Sequence, residues 1–191
     1  MEWGILFMGP VGAGKTEAIR SISEIDVLDT DVGATDETAL LKDKTTVSMD
    51  VGVLHLGDGD KLRLYGAPGQ GRFDFMWEIL IEQTQGLVIL INHANPDPLA
   101  DLQYYLDKLS SLLPRRQVPL VIGITHFDQR ADQPIDIYHQ HLKKSPAPFF
   151  HGLVPIFKID ARLKRDINTL MIAMVSMLEI HDRLFQQAKI A

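Results

Sequence analysis

The stretch Gly9-Pro10-Val11-Gly12-Ala13-Gly14-Lys15-Thr16 constrains this chain more than any other. It consists of a glycine, four free positions and Gly-Lys-Thr, preceded by the apolar run Ile5-Leu6-Phe7-Met8 and followed by a helical pattern. Gly9 and Gly14 let the backbone turn tightly, so that successive N–H groups point at one anion. Lys15 reaches the outer phosphates of a polyphosphate, and the Thr16 hydroxyl is placed to ligate Mg2+. A helix opening directly behind the loop adds its amino-terminal dipole. The pattern predicts a strand, a phosphate-binding loop and a helix, with Val11, Gly12, Ala13 and Glu17 completing the cradle.

The remaining sequence supplies a fold to carry such a loop. Apolar strand-like runs alternate with helical patterns throughout, as in a mostly parallel sheet covered by helices on both faces. Strands are expected at Trp3 to Met8, Thr46 to Leu56, Lys61 to Tyr65, Leu87 to Ile91, Leu120 to Ile124 and Val154 to Lys158. Helices are expected at Thr16 to Ser23, Phe73 to Gln83, Pro98 to Leu113, Pro134 to Lys144 and Leu163 to Gln187. Gly57-Asp58-Gly59-Asp60 reads as a hairpin turn, which places one antiparallel edge strand in an otherwise parallel design. From Glu24 to Asp43 the pattern lapses into a long acidic loop with a turn of helix at Glu37 to Leu41, and loops of that length are commonly functional. The expected architecture is a single α/β domain over 1–191, a P-loop NTPase three-layer sandwich with a six-stranded sheet and about five helices.

Composition narrows the partners. A formal net charge of -6 over 191 residues disfavours nucleic acid as the main ligand, and Arg115-Arg116 and Lys143-Lys144 are too short to form a basic footprint. The sequence contains no cysteine, which excludes disulfides and thiolate metal sites. No apolar run approaches 18 residues, and no basic leader precedes the first apolar run. The expectation is a soluble cytoplasmic protein without direct membrane insertion.

A phosphate loop alone fits a kinase, an ATPase or a GTPase, and the later loops separate these. Gly66-Ala67-Pro68-Gly69-Gln70-Gly71-Arg72-Phe73 follows the third strand. It offers a glycine whose N–H can face a γ-phosphate beside a glutamine that can orient a water. Thr125-His126-Phe127-Asp128 ends a later strand and resembles the Asn-Lys-x-Asp guanine motif, which implies that its aspartate would accept from guanine N1–H and N2–H2, donors that adenine lacks. Ile159-Asp160-Ala161-Arg162 follows the last strand. His139 and His141 stand two apart on a helix, which separates their rings and argues against a metal site. Phe73, Phe75, Met76 and Trp77 fit core packing better than an interface, and are also the best candidates for a nucleotide-dependent contact surface.

In motif order and length the chain resembles Ras-like small GTPases, and is most similar to the bacterial MglA-like branch found with roadblock-type partners. The resemblance rests on Gly9 to Thr16, Pro68-Gly69-Gln70-x-Arg72-Phe73 and the Thr125 to Asp128 loop. It implies that GDP and GTP bind with Mg2+, and that Gly69 and Thr46 sense the γ-phosphate. Thr46 would ligate the metal with Thr16, while Gln70, Lys15 and Thr46 would carry catalysis. Thr125, His126 and Asp128 would hold the base together with Ala161 and Arg162, the Ala161 N–H meeting guanine O6. Thr45 is the alternative switch threonine. The family's usual metal-holding aspartate is replaced by Gly66, so Mg2+ would need more waters or another carboxylate. Val11 stands where Ras-like proteins often have a glycine facing the γ-phosphate, and its branched side chain can crowd the glutamine or an arginine finger. Slow hydrolysis stimulated by a roadblock-type partner is therefore expected. The rivals are a P-loop ATPase or kinase, which Asp128 disfavours, and a non-hydrolysing binding module, for which Gly66, Val11 and His126 speak.

Overall fold

A computed structural model describes residues 1–29, 49–69, 75–114, 116–130, 132–150 and 152–188. Strands β1 (Glu2–Met8), β2 (Leu28–Asp29), β3 (Asp50–Gly57), β4 (Asp60–Gly66), β5 (Gly86–Asn92), β6 (Leu120–Thr125) and β7 (Ile156–Lys158) form one sheet in the order β2-β3-β4-β1-β5-β6-β7. The pairings of β4, β1, β5, β6 and β7 are parallel, while β3 runs antiparallel to both β2 and β4. All six expected strands are present, and the two-residue β2 extends the edge beyond β3. Helices α1 (Lys15–Ile22), α2 (Phe75–Glu82), α3 (Pro98–Leu112), α4 (Asp136–Lys144) and α5 (Lys164–Ala188) match the expected five.

Strand alternation divides the core into two layers. Leu6 and Met8 of β1, Leu87, Ile89 and Ile91 of β5, and Leu120, Ile122 and Ile124 of β6 face Trp77, Leu106, Leu109 and Tyr138 from α2, α3 and α4. Their neighbours Ile5, Phe7, Val88, Leu90 and Val121 face Ile19 and Ile22 of α1 and Leu170, Met174 and Leu178 of α5. Burial on both faces explains why β5 and β6 read as unbroken apolar runs. Leu184, near the end of α5, is exposed.

The helix ends follow local chemistry. Asp97 caps α3 by accepting from Ala100 N at 3.0 Å, with Pro98 in the first turn. Trp77, offered by sequence as either core or contact surface, is core: it is 1% exposed and stacks on Tyr105 at 5.4 Å. Its Nε1 donates to the Pro68 carbonyl at 3.3 Å, which fastens α2 to the loop after β4. The side chains of Phe73 and Phe75 lie outside the described residues.

The connection from β1 leads to α1 on one face, and that from β5 leads to α3 on the other. The crevice outside the carboxyl ends of β1 and β5 is thus a topological switch point, where open α/β sheets bind ligands. No described helix is long and apolar enough to cross a membrane.

Candidate functional site

An open cavity of about 1220 Å3 occupies that crevice. Its floor is the 9–16 loop, which the glycines make possible. Gly9 has φ 142°, and a Cβ there would fall 2.1 Å from the Leu90 carbonyl oxygen. Gly14, at φ 90°, is the residue ahead of α1, and a Cβ on it would meet Ala161 at 2.9 Å. Ala13 is fully buried beneath the loop, whereas Val11, Gly12 and Gly14 line the cavity. The first bond of α1 runs from Ala18 N to Gly14 O at 2.8 Å, so the amides just ahead have no intrahelical acceptor.

Lys15 and Thr16 occupy the first turn. Lys15 Nζ donates to the carbonyls of Gly9 at 2.7 Å and Pro10 at 2.9 Å, leaving the side chain 9% exposed. Burial pushes its pKa down to about 8, and the charge of Asp50 opposes that shift. Thr16 Oγ1 donates to Asp50 Oδ2 at 2.7 Å. Glu17 also borders the cavity and pairs with exposed Arg20 at 3.2 Å.

Gly69 lies directly over this turn. A Cβ on it would sit 2.8 Å from Val11 N and 2.9 Å from Lys15 Nζ, so only glycine permits this approach. Gln70, Thr46 and Thr45 lie outside the described residues, as does the turn of helix expected at Glu37 to Leu41.

At the opposite end, the 125–128 loop is tied to the 9–16 loop. Thr125 is 1% exposed, and its hydroxyl faces the carbonyls of Ala13 at 3.1 Å and Ile91 at 3.2 Å. With that single proton so engaged, His126 Nδ1, 2.9 Å away, donates to the threonine oxygen. His126 takes the left-handed conformation, φ 57°, and leads into a 3-10 turn over Phe127–Gln129. Asp128 stands on that turn at the cavity wall.

A buried layer that the sequence did not signal supports the turn. His93, fully buried, stacks on Phe127 at 4.1 Å with the rings 14° apart. Its Nε2 donates to the Gln133 carbonyl at 3.2 Å, so Nδ1 is left to accept from the Tyr138 hydroxyl at 2.8 Å. Burial pushes the Tyr138 phenol well above its ordinary range, which keeps that donor protonated. Lys158 Nζ lies 4.6 Å from the centre of the Phe127 ring.

The 159–162 loop closes this end. Ala161 is 6% exposed beside Gly14. Arg162 is engaged with Asp160, its Nη2 and Nε donating at 2.7 and 2.9 Å to the two carboxylate oxygens. That grip holds the Asp160 carboxyl down to about 2.

The structure therefore gathers the described site residues into one crevice. Lys15 and the amides ahead of α1 stand at one end, and the Asp128 carboxylate stands at the other. Thr16 and Asp50 supply hard oxygen donors suited to Mg2+, which uses one or two carboxylates beside ligand phosphates and water. Among the described residues no group of three or more His, Asp or Glu side chains is close enough to hold a metal alone. His141 is occupied otherwise, its Nε2 donating to Gln103 Oε1 at 2.7 Å. The fold and the described site thus define an α/β three-layer protein with a polar crevice at its switch point. No family model matches the chain, and no curated protein matches it in sequence.

Proposed function

We propose that this protein is a cytoplasmic guanine-nucleotide-binding switch that takes GDP and GTP with Mg2+ and hydrolyses GTP slowly. The observation that carries the reading is the tie from the Thr125 hydroxyl to the Ala13 carbonyl. It supports the reading because it ties the strand end that leads to Asp128 to the 9–16 loop, and both border one cavity. Asp128 would accept from the base, while Lys15 and the amides before Ala18 would hold the phosphates. Mg2+, with Thr16 as a ligand, would neutralise charge between phosphate oxygens. Gly69, against Val11 and Lys15, stands where a third phosphate would have to displace it. Thr46 and Gln70 keep the roles that the resemblance to MglA-like GTPases implies. A partner of roadblock type would act on the segments around Gly69 and on α2, where Ile79 is 56% exposed.

A non-hydrolysing nucleotide-dependent binding module is favoured by one observation. Val11 is 64% exposed and projects at the phosphate end, where it would crowd an attacking water. Displacement of a fluorescent GDP analogue by GTP and by ATP tests the main reading. GTP is expected to compete and ATP to fail, and equal competition would count against guanine selection. Single-turnover GTP cleavage, with and without a candidate partner, then separates a slow hydrolase from a module that only binds.

A further inference from the structure

We propose that His93, which does not reach the cavity, aims the Asp128 carboxylate at the base and so sets how strictly guanine is read. The inference rests on the guanine-nucleotide reading above, and goes beyond it by assigning selectivity to a buried histidine.

His93 grips the base-reading turn at two points. It follows the last residue of β5, and its amide donates at 3.0 Å to the carbonyl of Thr125, the last residue of β6. Its ring stacks on Phe127, with the centres 4.1 Å apart. Between these two anchors stands His126, at φ 57°. A residue with a side chain persists in that left-handed region only where its surroundings over-determine it. The backbone therefore enters Asp128 in a direction that is held from outside rather than preferred locally.

The hydrogen bonds of the imidazole turn packing into orientation. An apolar side chain of similar size would fill the same space but leave its own plane free to tilt. Here Nε2 donates to the Gln133 carbonyl at 3.2 Å and Nδ1 accepts from the Tyr138 hydroxyl at 2.8 Å, so the ring is pinned on two sides. Phe127 lies only 14° from its plane and takes its orientation from it. The imidazole covers one face of Phe127, which leaves the other to Lys158 Nζ, over the ring at 4.6 Å. His93 and Tyr138 are fully buried, so the clamp is built from core and not from loop.

Selectivity follows from what Asp128 would have to do. Two parallel hydrogen bonds to one purine edge need a carboxylate held in one plane, whereas a single bond tolerates a side chain that swings. Asp128 is the residue after Phe127 on the same 3-10 turn, and it borders the cavity. Loosening the clamp would cost the second bond first. The phosphate end, built by the 9–16 loop, would be left as it is. His93 acts through Asp128 and is a positioning residue.

The test is calorimetric titration of the full chain, with Mg2+, by GDP and by inosine diphosphate, which lacks the exocyclic amino group and offers Asp128 one bond fewer. The wild-type chain is expected to prefer GDP by about 10–100-fold, the worth of one hydrogen bond to a charged group. His93→Leu is expected to lower that preference by about tenfold. Tyr138→Phe keeps both rings and removes one hydroxyl, and is expected to lower it by about threefold. In an Asp128→Ala chain, adding His93→Leu is expected to change GDP affinity by less than about twofold, because the group it aims is gone. A purely structural role would cost the same in both backgrounds. An undiminished preference in His93→Leu, or in Tyr138→Phe should the former not fold, overturns the proposal while nucleotide binding stands. Equal losses from His93→Leu with and without Asp128 overturn it as well. A wild-type chain that binds GDP and inosine diphosphate alike, or binds neither, removes the guanine reading, and the proposal falls with it.

Discussion

Binding of GDP at alkaline pH is expected to draw a proton from solution, and that proton goes to Lys15. In the free protein burial holds the Lys15 pKa down to about 8, with Asp50 pulling the other way. A diphosphate set against Nζ favours the ammonium form and returns the group to its ordinary range. The part of the population that has lost its proton must then regain it. For a rise from about 8 to about 10.4, uptake is roughly 0.1 proton at pH 7, 0.5 at pH 8 and 0.9 at pH 9. No thiol competes, because the chain has no cysteine. Calorimetric titration in two buffers of different ionisation enthalpy reads the uptake directly. Uptake that stays flat from pH 7 to pH 9 would refute the reasoning. The same shift acts on folding. The Lys15 value in the folded chain lies below its ordinary 10.5, so its contribution to stability is full above 10.5 and lost as pH falls through about 8. The difference is about 3 kcal/mol from this group in the ligand-free protein, and Lys15→Met should flatten that limb of the stability curve.

Three further substitutions have defined outcomes. Trp77→Ala removes a ring that is 1% exposed, and should cost about 3–5 kcal/mol by urea denaturation; a loss below 1 kcal/mol would contradict its place in the core. Gly9→Ala forces a Cβ to within 2.1 Å of the Leu90 carbonyl oxygen at φ 142°. It should destabilise by about 3 kcal/mol or more, and an unchanged melting temperature would argue against this loop geometry. Val11→Gly clears the exposed branched side chain from the phosphate end. Single-turnover GTP cleavage is expected to rise by about tenfold, a barrier change of ~1.4 kcal/mol, and an unchanged rate would absolve Val11.

What could be read from the sequence was whatever is encoded locally. The unbroken runs of β5 and β6 and the start of α3 at Pro98 lie within single segments, and the structure has them where the sequence pattern put them. The glycines at 9 and 14 were legible for the same reason. Two-residue β2 offered no period to detect. The placement of Asp50 depends on the register that sets it opposite Gly66, which is a property of two strands and not of one. The layer of His93, Phe127 and Tyr138 joins three distant segments, and nothing in any one of them marks a histidine as buried beneath a ligand loop. Arg116, dismissed as part of too short a basic pair, donates to the Ile81 carbonyl at 2.7 Å and to the Thr84 carbonyl. It thereby serves the carboxyl end of α2, a contact visible only once α2 and α3 are packed.

Calorimetric titration of GDP, GTP and ATP with Mg2+ into the wild-type chain and into Asp128→Ala reports on base recognition with no chemical step in between. GDP and GTP are expected to bind the wild-type chain and ATP to bind far more weakly. Loss of the Asp128 carboxylate removes two charge-assisted hydrogen bonds, worth at least about 3 kcal/mol together, and should weaken GDP by about 100-fold or more. Equal affinity for GDP and ATP, or an Asp128→Ala chain that binds GDP as tightly as wild type, would contradict a guanine-nucleotide site in this crevice.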